Sequence, residues 1–295
     1  MKFEFAKMHG AGNDFVALLD PEARFPLLDA ALVRRMNAPH VGLASEGMLV
    51  LRKADAPEGA DFRMVFFNPD GSRASMCGNG ARCAALYALR AGFAGRRMSF
   101  ATDAGTVEAS VAEGDGPAGG TVTVRTTDAA APVVVPALSA EGAGPGRPRP
   151  AGFPDGPVLC VDTGVPHAVL FVPDVASADV AAWGAFVRRH AAFAPAGTNA
   201  DFAQVAGRNR LLLRTFERGV EAETPACGTG VLAAAVAAAA TGRCDFPVEV
   251  RVAFGVDLRV DCEAPGSDGS ARGLRLTGPA RFVCRGEIDT DAFAE

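Results

Sequence analysis

Apolar and polar positions along this 295-residue chain change in short runs, most of which read as strands. Alternating or continuously apolar stretches cover residues 2–6, 48–52 and 62–67, then 98–101, 106–111 and 121–125 with glycine turns between them. A second series follows at 158–161, 168–171, 202–206, 210–215, 248–253, 257–260 and 274–277. Helical spacing appears at 26–36, where Leu27, Leu28, Ala31, Leu32 and Met36 share a face, and at 79–91, 175–188 and 229–241. The last of these ends at Gly242, a favoured residue just past a helix.

Residues 112–120 form a glycine-rich turn, and 129–156 is a longer stretch dominated by Ala, Pro and Gly. That stretch has too little periodic apolar content to pack as an element and reads as a linker or loop. It separates halves of similar size. The halves carry a faint repeat. His9-Gly10-Ala11-Gly12-Asn13-Asp14-Phe15 and Thr163-Gly164-Val165-Pro166-His167 are glycine turns with a histidine, each at a similar distance before a Cys-Gly-x-Gly sequence.

Composition narrows the chemistry. The chain is 49% hydrophobic and 21% charged, with a formal net charge of −5, so there is no basic footprint for nucleic acid. Polar residues interrupt every apolar run before it reaches membrane-spanning length, and the start, MKFEFAKMHGAG, lacks the apolar core of a signal peptide. The cytoplasm is the expected compartment. Seven scattered cysteines without a CxxC pair are not a disulfide framework, and the four histidines do not space with them as zinc ligands do. Only Lys2, Lys7 and Lys53 could form a Schiff base, and none sits in a suggestive context. Neither metal nor cofactor is expected.

Cys77-Gly78-Asn79-Gly80 and Cys227-Gly228-Thr229-Gly230 each open an alanine-rich helical run. A helix start offers unpaired N–H groups and partial positive charge, which are expected to favour a thiolate there. Two such thiols suit stereoinversion at a carbon acid: one takes a proton from one face while the other returns one to the opposite face. The N–H groups after each cysteine can hold a carboxylate, and the glycines permit close backbone approach. The bland alternative for each cysteine is a small buried apolar residue.

KMHGAGNDFV (7–16), FFNPDGSRASMCGNGARC (66–83), DTGVPH (162–167), GTNADF (197–202), FERGVEAETPACGTG (216–230) and LTGPARFV (276–283) resemble, in order, the sequence blocks of the diaminopimelate epimerase family. The resemblance covers nearly the whole chain. It implies cofactor-independent interconversion of LL- and meso-diaminopimelate, in lysine and peptidoglycan biosynthesis. It implies an α/β (α+β) fold of two pseudo-symmetric domains, each a β-barrel-like sheet around a central helix, with the active site between them. The halves would be 1–128 plus 277–295, and 129–276, because the family's final strand returns to the first domain. Cys77 and Cys227 match the catalytic acid/bases, and His167 and Glu217 match residues that assist them. Asn13, Asn68, Asn199, Glu217 and Arg218 match substrate-binding positions, and Gly78-Asn79 and Gly228-Thr229 match the loops around the α-carboxylate. On chemistry alone, Arg218 can bind a carboxylate bidentately and Glu217 can accept from an ammonium group; their alternative is a surface ion pair.

The asparagines have an alternative as turn residues, and His167 as a turn histidine. Arg82 reads as a solvated helix residue and Cys83 as a core residue of the same helix. Cys284 lies in the terminal block, where the family commonly has a dimer contact, so the resemblance suggests a homodimer. Val165 stands where family members often have Asn or Ser, and Glu46 where they have Asp. Residues 137–156 look like an insertion. Val165 keeps open a racemase for another amino acid on the same scaffold, and a non-catalytic amino acid binder or thiol redox protein is the reading from a different class. Two activated thiols serving one carbon are expected to be oxidisable to a Cys77–Cys227 disulfide. Mild oxidant should therefore abolish activity and reductant restore it, with the bridged peptide visible by mass spectrometry; permanent loss without that peptide counts against the pairing.

Overall fold

The computed structural model describes residues 1–53, 55–114, 116–139 and 148–293. The core of the Pro/Gly-rich insertion, 140–147, lies outside the described residues. The chain divides into two compact units, Met1–Arg125 with Thr277–Glu295, and Thr126–Leu276.

The first unit opens with an antiparallel hairpin of Lys2–Gly10 and Asn13–Leu19. Its two-residue turn, Ala11 and Gly12, has φ of 56° and 92°, the positive values that match the twist of a tight hairpin. Helix α1 (Ala30–Asn37) carries the chain across to Met48–Arg52, parallel to the second strand. Phe62–Phe67 pairs antiparallel with Met48–Arg52, and the short strand Arg73–Ala74 folds back on it. Helix α2 (Gly78–Arg90) then leads to Arg97–Thr102, parallel to Phe62–Phe67. Gly105–Val111 and Gly119–Arg125 follow in antiparallel order. The long strand Arg275–Asp289 joins Gly119–Arg125 to Lys2–Gly10 and closes these strands into an eight-stranded barrel.

Helix α2 fills that barrel. It packs on strands around the wall, and every residue from Asn79 to Ala88 is buried. A helix buried on all sides has no polar face to spare, and an eight-stranded barrel has little interior width. The sequence meets both constraints with small residues, Gly80, Ala81, Ala84, Ala85 and Ala88.

The second unit repeats the order. Val158–Asp162 and Pro166–Phe171 form a hairpin, α3 (Val180–Arg188) leads to a parallel Asn199–Gly207, and Arg210–Glu217 pairs antiparallel. Ala222–Thr224 folds back, and α4 (Gly228–Ala240) leads to Val248–Arg251, parallel to Arg210–Glu217 and antiparallel to Asp257–Asp261. Val133–Val135 pairs with the hairpin's first strand. Helix α4 is again alanine-rich, touches strands on all sides and is buried from Gly230 to Ala238. The mixed α+β architecture, a strand barrel around a central helix, is the one the sequence blocks implied.

Two helices start later than their apolar spacing suggests. Asp29 accepts from the Leu32 N–H at 2.8 Å and starts α1, leaving Leu28 96% exposed. Asp179 caps α3 through the Ala182 N–H at 3.1 Å. These side chains satisfy N–H groups that the helix leaves open. The strand Asn13–Leu19 escaped the alternation pattern because Phe15–Leu18 is buried on both faces. The two hairpin turns do correspond, but their histidines do not. His9 precedes its turn, opposite Asp14, whereas His167 follows its turn, opposite Val161.

The tight fit of α2 gives a stability expectation. Ala85→Leu should cost roughly 1–3 kcal/mol through overpacking, read as a lower urea midpoint. Leu28→Ser, at an exposed position, should stay within about 0.5 kcal/mol.

Candidate active site

In the first unit, Cys77 is the N-cap residue of α2, with extended backbone (φ −140°, ψ 120°) and a half-buried side chain. Its thiol faces the Asn13 Oδ1 at 3.9 Å. Asn13 is placed by the hairpin turn, and its Nδ2 donates to Glu46 Oε2 at 2.6 Å. Asn79 Nδ2 donates to the same Asn13 Oδ1 at 3.2 Å. Behind it, Arg82 Nη2 donates to Asn79 Oδ1 at 2.8 Å. Gly10 makes room for this helix start: a Cβ there would lie 2.9 Å from the Asn79 carbonyl oxygen.

In the second unit, Cys227 is the N-cap residue of α4 and is buried. Its sulfur lies 3.4 Å from Thr229 Oγ1 and within electrostatic reach of the Glu217 carboxylate, which accepts from Thr224 Oγ1 at 2.5 Å. His167 Nδ1 meets Asp201 Oδ2 at 2.7 Å with both side chains fully enclosed, and Thr215 Oγ1 donates to Asp201 Oδ1 at 2.7 Å. Asn199 joins two segments, donating to the Pro166 carbonyl at 3.1 Å and accepting from the Arg218 N–H at 2.8 Å. Gly230 is required by proximity, since a Cβ there would lie 2.5 Å from Asp201 Oδ1. Thr163 Oγ1 ties the hairpin turn to the Thr229 carbonyl at 3.1 Å.

The electrostatics correct one expectation. A helix start was expected to favour the thiolate, yet burial pushes the Cys227 thiol well above the ordinary range, and the charges of Glu217 and Asp201 add to the rise. The Thr229 hydroxyl and the Gly230 N–H oppose this only partly. Glu217 is itself shifted upward by burial, against the hydrogen bond from Thr224. The partial charge of a helix end falls off within a turn and is outweighed by complete desolvation with acidic neighbours.

The candidate residues thus form two groups. Asn13, Cys77, Gly78 and Asn79 lie together in the first unit. His167, Asn199, Glu217, Arg218, Cys227, Gly228 and Thr229 lie together in the second. Asn68 is bonded within its own turn, where its Nδ2 donates to Ser72 Oγ at 3.0 Å. Glu217 and Arg218 have different partners: Glu217 accepts from the Thr224 hydroxyl, while Arg218 Nη1 reaches the Ala196 carbonyl at 3.5 Å. Cys83 is a core residue, as expected, and Cys284 is exposed in the single chain. Sequence reasoning passed over Asp201 and misplaced Arg82, which is not solvated but has no exposed surface. The available signal was a lone arginine inside an otherwise small and apolar helical run.

The same fold occurs in solved proteins of low sequence identity. A phenazine biosynthesis protein of the PhzF family from Bacillus anthracis superposes with a TM-score of 0.70 at 15% identity, covering 98% of this chain and 99% of that one. A probable proline racemase from Agrobacterium radiobacter gives 0.69 at 16% identity, covering 99% and 94%. At such low identity these neighbours share the fold alone. Sequence goes further. The profile described as diaminopimelate epimerase matches residues 5–131 and 159–283. The diaminopimelate epimerase of Aromatoleum aromaticum is 39% identical over 295 residues, covering 99% of this chain and 100% of that protein. The enzyme of that name from Aquifex aeolicus is 36% identical over 270 residues, covering 88% and 89%. The chain belongs to the diaminopimelate epimerase family.

Thiol accessibility and charge set an order of reactivity. At pH 8, iodoacetamide should label half-buried Cys77 well before enclosed Cys83, which should react negligibly. Burial pushes Cys83 up to about 12, so the thiolate fraction is about one part in ten thousand. Glu217→Gln removes a negative neighbour of Cys227 and should move its alkylation midpoint to lower pH. A midpoint unchanged or raised would contradict the assigned cause.

Proposed function

We propose that this chain interconverts LL- and meso-diaminopimelate, with Cys77 and Cys227 as the two acid/base groups. The observation that carries the reading is the duplication itself. Each unit presents one cysteine as the N-cap of its barrel-filling helix, followed by a glycine-rich first turn.

The chemistry balances with these groups alone. One cysteine, as thiolate, takes the α-hydrogen as a proton, and the electron pair stays on the substrate as a carbanion conjugated with the α-carboxylate. The other cysteine, as thiol, gives its proton to the opposite face of the same carbon. The enzyme is left with the two ionisation states exchanged, and proton exchange with solvent resets it. The α-hydrogen is only weakly acidic, so the carbanion's charge must be stabilised by fixed donors. The N–H groups of Gly78-Asn79 and Gly228-Thr229 suit the α-carboxylate, because both pairs open helices.

Glu217, whose charge acts on the Cys227 thiol, fits proton handling at that sulfur better than ammonium binding. His167, held by Asp201, is assigned to assist the same thiol, and Arg218 is the group for a distal carboxylate. Asn199 presents the Arg218 segment, and Asn13 faces Cys77. Asn68 is assigned to substrate by sequence block alone. Val165, half-buried at the turn before Pro166, offers no side-chain hydrogen bond and is the one feature favouring a different amino acid as substrate. The cytoplasm is the proposed compartment, since reduced thiols are required; among the described residues no helix is long and apolar enough to cross a membrane. A homodimer is proposed from the exposed Val283 and Cys284 on the long Arg275–Asp289 strand.

Purified protein should incorporate solvent deuterium at the α-carbon of both diaminopimelate stereoisomers without added pyridoxal phosphate. Cys77→Ala and Cys227→Ala should each lower epimerisation by about 10²–10⁴-fold. Undiminished turnover in both variants would remove the two-thiol mechanism. Faster turnover of single-carboxylate amino acids would favour the other substrate class, and tight binding without exchange would favour a binding protein. Light scattering should give twice the 30.3 kDa chain mass.

A further inference from the structure

Arg82 is the most demanding side chain in the first unit. It lies on α2 inside the barrel with no exposed surface, and among the described residues it forms no ion pair. Its Nε is buried without a hydrogen-bond partner. A buried unpaired cation is costly and would be expected to be replaced by an apolar residue unless it acts on something. Its own counterpart position makes the point: the second unit's helix has Leu232 at the same offset from Cys227 that Arg82 has from Cys77, and Leu232 is buried there without difficulty.

We infer that Arg82 is a positioning residue for Cys77: it fixes the Asn79–Asn13 amide pair that faces the thiol and supplies the buried positive charge that favours the thiolate. This rests on the reading of Cys77 as an acid/base group. The geometry is a relay. Arg82 Nη2 donates to Asn79 Oδ1 at 2.8 Å, and Nη1 lies 3.5 Å from the Gly78 carbonyl. An arginine can only donate, so Asn79 must turn its oxygen toward Arg82 and its Nδ2 toward Asn13 Oδ1, 3.2 Å away. Asn13 in turn spends its Nδ2 on Glu46 and keeps Oδ1 for the Cys77 thiol. A carbonyl oxygen favours the thiol and a guanidinium favours the thiolate. Together they suit a sulfur that must both take and return a proton.

The other charged groups near Cys77 are already engaged. Asp14, on the second strand, is paired with Lys7 Nζ. Glu46, before the third strand, accepts from Asn13 Nδ2 and the Asp14 N–H. His9, on the first strand, is shifted downward by burial and by Arg281. Cys83, next along α2, stays a thiol through burial. Arg82 has a direct electrostatic interaction with Cys77.

The experiment is peptide-resolved alkylation of Cys77 against pH in the intact protein, for wild type, Arg82→Gln and Arg82→Lys. Gln keeps a donor for Asn79 without the charge; Lys keeps the charge without the fork. The wild-type midpoint of Cys77 should lie below that of Cys227. R82Q should raise the Cys77 midpoint by about one pH unit or more, leave that of Cys227 in place, and lower kcat far more than it changes KM. R82K should keep the midpoint closer to wild type than R82Q does. A folded R82Q with an unmoved Cys77 midpoint overturns the inference. If R82Q does not fold, a wild-type Cys77 midpoint at or above that of Cys227 overturns it instead. Alkylation does not depend on turnover, so a Cys77→Ala protein that still epimerises would defeat the mechanism while leaving the Arg82 result standing.

Discussion

The width of the barrel interior governs most of what this chain does. A closed eight-stranded wall admits a helix only if that helix is thin, and the sequence of α2 is correspondingly built from alanine and glycine. A thin helix enclosed by strands has its axis fixed by the wall, so the residue at its N-terminus is fixed as well. Cys77 and Cys227 inherit their positions in this way, as the last extended residues before a constrained first turn. Close approach then becomes possible on the side of the turn. Gly10 lets a strand reach the Asn79 carbonyl, and Gly230 lets Asp201 reach α4.

The two units share an order of elements but not an electrostatic environment. Around Cys227 stand Glu217, Asp201 and His167, and the sulfur is buried, so the neutral thiol is favoured. Around Cys77 stand two asparagines and, behind them, an arginine, with the sulfur half-buried. Duplicated geometry with divergent surroundings is what a pair of groups needs if one begins protonated and the other does not.

Much of the fold was legible because strands and helices here obey their periods. The strands 48–52 and 62–67 match their apolar runs residue for residue, and the alanine-rich helices begin within a residue of their cysteines. What escaped was whatever a neighbour decides. Asn13–Leu19 is buried on both faces and shows no alternation, and Arg275–Asp289 is long because two separate strands need it as a partner. At the site, the cysteines and their glycines announced themselves, as did His167 and Asn199 through their sequence blocks. Asp201 and Arg82 did not, because their importance lies in whom they touch across the sheet or along the helix. Residue type alone made Arg82 look solvated; only the closed wall around α2 shows it enclosed.

The strand Arg275–Asp289 also imposes an order in time. The second unit is continuous from Thr126 to Leu276, whereas the first lacks a stave of its barrel until residues after 276 have been made. On a ribosome, the unit that starts later in the sequence is complete first. The earlier residues wait with Lys2–Gly10 and Gly119–Arg125 each short of a partner, a state with two open sheet edges. Closure joins residues at opposite ends of the chain, such as Lys2 with Asp289, which is the slow kind of contact in folding. Synthesis of residues 275–289 is thus the event that seals the barrel holding α2, and a chain cut short before residue 275 would leave that barrel open.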